Sequence, residues 1–229
     1  MDESVPPQTP VGLDAGLESF VTTSTGEKVA PPRFYRRQER HLQKAQRRHA
    51  RKRKGSKNRA KAKRRLAVLH ARIRNQRKDW LHQLSRRLCD QHDCLCIEDL
   101  AVSALVKTKR RGHAKSWHDA AWGEFRRQLS YKQRWQGRRV IVVSRWYPSS
   151  QECHICHERT KHVLSVRQWT CAHCGTRHDR DHNAAINLET EGLHYLAGGN
   201  PERQNVCGEG VRPSKRRQPL RKQKASTAR

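Results

Sequence analysis

Apolar positions along this chain change period several times, and each change marks an element. Val11-Gly12-Leu13-Asp14-Ala15-Gly16-Leu17 is short and apolar, followed by Ser19-Phe20-Val21-Thr22-Thr23. Ser24-Thr25-Gly26-Glu27 reads as a turn, so these segments, with Lys28-Val29-Ala30, predict a β-hairpin that Pro31-Pro32 ends. Leu66, Leu69, Ile73, Trp80, Leu84 and Leu88 then fall at three-, four- and seven-residue steps, the stripe of a helix with one packed face. Gly55-Ser56-Lys57-Asn58 breaks the region before that stripe, which predicts a helical hairpin over 33–90. Cys94-Leu95-Cys96-Ile97 predicts a short buried strand. Trp117, Ala121, Phe125 and Leu129 predict one helix over 117–134, and Arg139–Val143 is the most strand-like run. A short helix is expected to start at Asn183.

Both ends lack such patterning. Residues 1–10 are acidic and Pro-rich and read as a disordered leader, without the charged and apolar regions of a secretory signal. From Gly198 onward the chain is basic and poor in apolar residues, which predicts a disordered tail. No run is long and apolar enough to span a bilayer.

Charge narrows the class of partner. The 229 residues carry 50 Lys and Arg against 21 acids, a net charge of +29. Between Arg33 and Arg77 there are 20 Lys and Arg and a single acid, Glu39. A solvated helix face normally mixes signs, because like charges one turn apart repel. An almost purely cationic face calls for a polyanion, and nucleic acid rewards each neutralised phosphate with a released counterion. Candidate contacts are Arg47, Arg48, Arg51, Lys52, Arg53, Lys54, Lys57, Arg64 and Arg65 in the hairpin, and Lys109, Arg110 and Arg111 in a basic loop.

Eight cysteines in a chain without a secretory signal point to metal or core roles in a reducing cytoplasm. Cys153-x2-Cys156 and Cys171-x2-Cys174, separated by 14 residues, form two knuckles whose thiolates can close a tetrahedron around one structural Zn²⁺. His154, His157, His173 and His178 lie close by but are not required once four cysteines are available. Cys89, Cys94 and Cys96 read as core, and Cys207 lies in the tail. Lys161, Arg167, Arg177 and Arg180 flank the cysteine segment, which could touch nucleic acid or act as a strut.

Acids are scarce, so their positions matter. Asp14 sits within an apolar strand, where an unpaired charge is costly. Glu98 directly follows the Cys94–Ile97 strand, and Asp181 precedes a helix in Asp179-Arg180-Asp181-His182-Asn183. Three acids on separate elements are what a two-Mg²⁺ phosphodiesterase requires, with one metal activating water and the other stabilising the leaving oxygen. Taken singly, Asp179 reads as a helix N-cap and Glu98 as a surface acid.

In combination these residues resemble a known family. VGLDAGLESFVTTSTGE, CIEDL, HDAAWGEFRRQLSYK, RWYPSSQECHIC, HDRDHNAAINL and CGEGVRP follow the order found in the TnpB (OrfB-type) proteins of bacterial insertion sequences, long labelled transposases and understood as RNA-guided DNA nucleases. The resemblance runs from about Pro10 to Val211. It implies an α/β fold of the RNase H-like (RuvC-type) class, a mixed sheet with a basic helical insertion and an inserted zinc ribbon. It implies Asp14, Glu98 and Asp181 as the catalytic Mg²⁺ ligands, with Asp179 the neighbouring alternative, and Cys153, Cys156, Cys171 and Cys174 as zinc ligands. Its implied partners are DNA and a guide RNA, in a cytoplasmic, nucleoid-associated bacterial protein with no membrane contact. The family carries a sizeable N-terminal part before the first motif, whereas here that motif opens ten residues in. The chain is thus expected to lack that part.

The expected layout is a leader over 1–10, a nuclease core over 11–150, a ribbon over 151–178, the last motif and its helix over 179–197, and a tail over 198–229. The leading expectation is a Mg²⁺-dependent DNA endonuclease site in a transposon-associated protein. The alternative is a truncated or nuclease-inactive nucleic-acid-binding remnant or repressor of the same family.

Overall fold

The computed structural model describes residues 6–102, 107, 113–163 and 165–198. Its centre is a five-stranded mixed sheet in the order β3-β2-β1-β4-β5. β1 (Pro10–Ala15) pairs antiparallel with β2 (Val21–Thr23), which pairs antiparallel with β3 (Lys28–Val29), as the hairpin pattern anticipates. On its other side β1 runs parallel to β4 (Cys94–Glu98), and β4 runs parallel to β5 (Arg139–Val143). The C-terminal ends of β1, β4 and β5 therefore lie along one edge.

Side chains alternate between faces along a strand. Val11 and Leu13 of β1 and Leu95 and Ile97 of β4 enter one core with Phe20, Leu81, Leu84, Leu88, Phe125 and Leu129. That core lies under the C-terminal half of α2 (Lys57–Gln91) and under α4 (Trp122–Trp135). Phe20 anchors it, stacked on Trp122 at 4.9 Å and edge-on to Trp80 and Phe125 at 4.8 and 5.0 Å. The opposite face is covered by α5 (Arg180–Ala197), which meets Cys94, Cys96 and Ile141 through Tyr195 and Leu196.

α5 packs against the sheet with almost no gap. A Cβ added at Gly12 would lie 1.8 Å from the Ala185 carbonyl oxygen, and one at Gly192 would lie 2.3 Å from the Cys96 sulfur. Small residues on both partners let helix and strand backbones approach this closely, which fixes where the N-terminus of α5 points.

α1 (Phe34–Ala50) and α2 form the expected basic hairpin, with Gly55 at φ +80° and Ser56 capping α2 by accepting the Arg59 N–H at 3.2 Å. The 35 residues of α2 span about 52 Å. Its distal half buries little: Leu66 and Leu69 are half-buried and Val68 is exposed. The root of the hairpin is held by Asp119 of α3 (His113–Ala120), whose buried carboxylate accepts the Tyr35 N–H and an Arg77 N–H, each at 3.1 Å.

Three expectations are corrected. Residues 117–134 are not one helix: the chain breaks at Ala121, φ +54°, between α3 and α4. On an unbroken helix Trp117 and Trp122 would point about 140° apart. Both are buried in the same core, and the break makes that possible. The last helix starts at Arg180 rather than Asn183 and runs for 18 residues. Residues 8–10 are not leader, because the Gln8 and Thr9 N–H groups bond the Asp93 carboxylate at 2.7 and 3.0 Å and Pro10 opens β1. Residues 1–5, and the tail apart from Gly198, lie outside the described residues.

Candidate active site and metal cluster

The alternation that buries Leu13 and Ile97 turns Asp14 and Glu98 the other way. Leu13 pairs with Ile97, so Asp14 and Glu98 stand one step further on in adjacent parallel strands, about 5 Å apart along the sheet. Both face the side that α5 covers. The contact of Gly12 with Ala185 brings the first turn of α5, and with it Asp181, to the same edge.

Asp14 lies within electrostatic reach of both other acids. Burial raises the Asp14 carboxyl well above its ordinary value, and the nearby charges of Asp181 and Glu98 raise it further, against a lowering by Arg180. Glu98 is also raised, by burial first and by Asp99 second, with Arg145 opposing. Gathering carboxyls at a partly buried edge disfavours their charged forms, which is the direction of both shifts. Among the described residues, the three acids do not close to the 4.8 Å mutual spacing of a compact single-ion cluster.

Asp179 has a different task. It caps α5, accepting the His182 N–H at 3.1 Å, and pairs with Lys28 at 2.7 Å. Burial pushes its carboxyl up, but these bonds hold it below its usual range. Asp181 keeps a looser partner, Arg167 at 3.3 Å, which also pairs with Glu18 at 2.8 Å. Asp99 is occupied by Arg126 and Arg145.

The two cysteine knuckles come together as their spacing predicts. Cys153, Cys156, Cys171 and Cys174 form the metal-capable group found among the described residues, their sulfurs all within 4.8 Å of one another. Cys153 and Cys174 are 3.6 Å apart, and Cys156 and Cys171 are 3.5 Å apart. Four thiolates at about 2.3 Å from a tetrahedral ion stand about 3.8 Å apart, so the set fits Zn²⁺. β6 (Gln168–Thr170) and β7 (Arg177–Asp179) form the ribbon's antiparallel pair, with Trp169 against the cysteines. The nearby histidines have other roles. His178 lies with Nε2 3.1 Å from the Cys153 sulfur and its ring against Trp169, and His154 bonds Asn183. Cys89, Cys94 and Cys96 are buried in the core, as expected.

Sequence reasoning missed the joint between ribbon and helix. Asn183 and Asn187, one turn apart on α5, are both buried. Asn187 donates to the carbonyls of Ser149 and Glu152 at 2.8 and 2.7 Å, and Asn183 donates to the same pair at 3.4 and 2.7 Å. The Asn183 oxygen takes the His154 N–H at 3.1 Å. The signal available was two asparagines four apart among Ala184, Ala185, Ile186 and Leu188.

All the candidate cations of the hairpin, from Arg47 to Arg65, are exposed, whereas Lys109, Arg110 and Arg111 lie outside the described residues. No described helix is long and apolar enough to cross a membrane.

Comparison with known proteins agrees with this architecture. Residues 2–109 match the OrfB_IS605 family, described as "Probable transposase", and residues 122–188 match "Cas12f1-like, TNB domain". A Streptomyces pristinaespiralis protein named "Putative RNA-guided DNA endonuclease" is 48% identical over 206 residues, covering 90% of this chain and 48% of the relative. "Putative RNA-guided DNA endonuclease InsQ" of Escherichia coli is 34% identical over 208 residues, covering 85% of this chain and 52% of its own length. The chain thus spans about half the length of these relatives. A solved CRISPR-Cas12f ternary complex shares the fold, with a TM-score of 0.60 at 19% identity, over 90% of this chain and 41% of that one. The chain is thus similar to the TnpB (OrfB-type) family through an OrfB_IS605 match, a Cas12f1-like TNB match and relatives named RNA-guided DNA endonucleases.

Proposed function

We propose that Asp14, Glu98 and Asp181 form the Mg²⁺-dependent DNA endonuclease site of an RNA-guided, RuvC-like nuclease. The observation that carries this reading is the gathering of three acids from β1, β4 and α5 at one sheet edge, with Asp14 raised first by burial and then by the other two. The strand order, with three parallel strands ending at that edge, supports an RNase H-type assignment. Magnesium held by these carboxylates would activate water and neutralise the leaving oxygen. The chain's own contribution is positional. Gly12 against Ala185 sets the approach of α5, Asp179 fixes its first turn, and Arg167 steadies the Asp181 carboxylate. Zn²⁺ in the four-cysteine cluster would hold the ribbon, which has little core of its own.

The exposed cations of the α1–α2 hairpin suit backbone contacts to guide RNA and target DNA, which position a duplex without reading its sequence. The relatives' names, which speak of RNA guidance and DNA, support both partners. The test is purified chain, with any copurifying RNA sequenced, on single-stranded DNA with Mg²⁺. Cleavage is expected from the parent and lost in Glu98→Gln. Cleavage that persists in Glu98→Gln, or its absence from a folded, RNA-loaded parent, refutes the nuclease reading. The second outcome favours a binding remnant or repressor.

A further inference from the structure

The loop between β5 and the ribbon carries a feature that the carboxylate site does not use. Trp146 is 85% exposed, the highest value among the large apolar side chains described. Its neighbours are not free. Arg145 is bound to Asp99, and the Tyr147 hydroxyl donates to Glu152 at 3.1 Å. The Trp146 and Tyr147 N–H groups both turn back to Ser144, at 3.4 Å to its hydroxyl and 3.0 Å to its carbonyl. The backbone is thus pinned on both sides while the indole is left in water.

Its position is informative. Val143, the last residue of β5, pairs with Glu98. Trp146 follows three residues later, no more than about 11 Å of chain away. Trp146 is therefore carried on the loop that leaves β5 at the carboxylate edge. Trp135, 79% exposed, gives the contrast: it packs edge-on to Tyr131 at 4.7 Å and ends α4, just before the start of β5 at the far end of the sheet.

We infer that Trp146 is a stacking platform for an unpaired nucleobase of the strand presented to Asp14, Glu98 and Asp181. An exposed, pre-positioned indole on a chain of net charge +29 suits a ligand that is flat, aromatic and anionic. An unpaired base on its phosphate backbone is such a ligand, and every base offers a π-face. Stacking would fix one nucleotide and so set which phosphodiester reaches the acids. The inference rests on reading this edge as the strand-binding site.

The test reads binding and not cleavage. Full-length chain carrying Glu98→Gln, so that DNA stays intact, is titrated by fluorescence anisotropy against labelled single-stranded oligonucleotides with one abasic site moved along the sequence. Trp146→Ala is expected to weaken binding about 5- to 150-fold, with Trp146→Phe retaining most of the affinity and Trp135→Ala unchanged. One or two adjacent abasic positions should reproduce the loss with Trp146 present and add nothing to Trp146→Ala. Equal affinity of Trp146→Ala and its parent overturns the inference. So does a loss indifferent to abasic position, or a parent that binds no single strand. If the Glu98-containing parent fails to cleave while the abasic pattern persists, the nuclease reading falls and the platform stands.

Discussion

The asparagine pair on α5 permits a quantitative test of how the ribbon is held. Glu152's carbonyl receives two good bonds, one from each asparagine at 2.7 Å, whereas Ser149's receives one good bond from Asn187 and a long contact from Asn183. Removing Asn187 leaves Glu152 satisfied and Ser149 nearly bare, a cost of about 1–3 kcal/mol for one buried acceptor. Removing Asn183 keeps both carbonyls bonded but deprives the His154 N–H of its acceptor, a similar cost. Removing both leaves the two carbonyls without either donor. Asn183→Ala/Asn187→Ala should therefore exceed the sum of the single losses by about 0.5–3 kcal/mol. Equilibrium urea unfolding in zinc-replete buffer, followed for all four members of the cycle, measures this. A strictly additive double variant, or single variants within about 0.5 kcal/mol of the parent, would refute the ladder as the joint.

Gly12→Ala should lower the melting temperature sharply, by more than the ~1–3 kcal/mol of ordinary overpacking, because its Cβ would sit 1.8 Å from a helix carbonyl. Gly123→Ala, whose Cβ would meet nothing within 4 Å, should be neutral or stabilise by up to about 1 kcal/mol; equal melts for the two would defeat the close-packing argument. Asp14 titrates higher folded than unfolded, so its stabilising contribution is complete below the ordinary carboxylate range and is lost as pH rises through the raised value. Asp14→Asn in Mg²⁺-free, zinc-replete buffer should then gain about 0.5–2 kcal/mol at pH 8, with less gain at pH 5, and a variant less stable than its parent at pH 8 would contradict the repulsion. Metal analysis should find about one zinc per chain, removable by chelator with loss of Trp169 burial; folded protein free of zinc would rule out the structural site.

Much of this was legible because local chemistry and tertiary placement agree. The paired knuckles, the turn glycine of the hairpin at position 55 and the strand that ends at Glu98 are each written within a few residues. Asp14 could be singled out because it breaks an apolar strand, and the structure shows why it is there: period two turns it from the core toward α5. The break at Ala121 was not legible, since Trp117, Ala121, Phe125 and Leu129 keep a helical spacing that says nothing of Trp122. Only the demand to bury both tryptophans together reveals it. The start of α5 was half legible: Asp179 taken singly reads as a helix N-cap, and it accepts the His182 N–H, which sets the first turn at Arg180 rather than Asn183. The asparagine ladder bonds to carbonyls more than thirty residues away, and no local pattern encodes such partners.

These particulars meet in one helix. Ala185 seats α5 on Gly12 and so fixes its height above the sheet. Asp179 fixes its first turn, which places Asp181 beside Asp14. Asn183 and Asn187 grip the start of the ribbon, and Arg167 reaches back from the ribbon to the Asp181 carboxylate. The third acid is therefore tied to the sheet through backbone packing and to the cysteine cluster through hydrogen bonds. A disturbance of the ribbon reaches Asp181 before it reaches Asp14 or Glu98, whose strands pair with each other and not with the ribbon. On the proposed reading the sheet can thus remain folded while the carboxylate edge loses its third member, so the ribbon serves as a strut for the site.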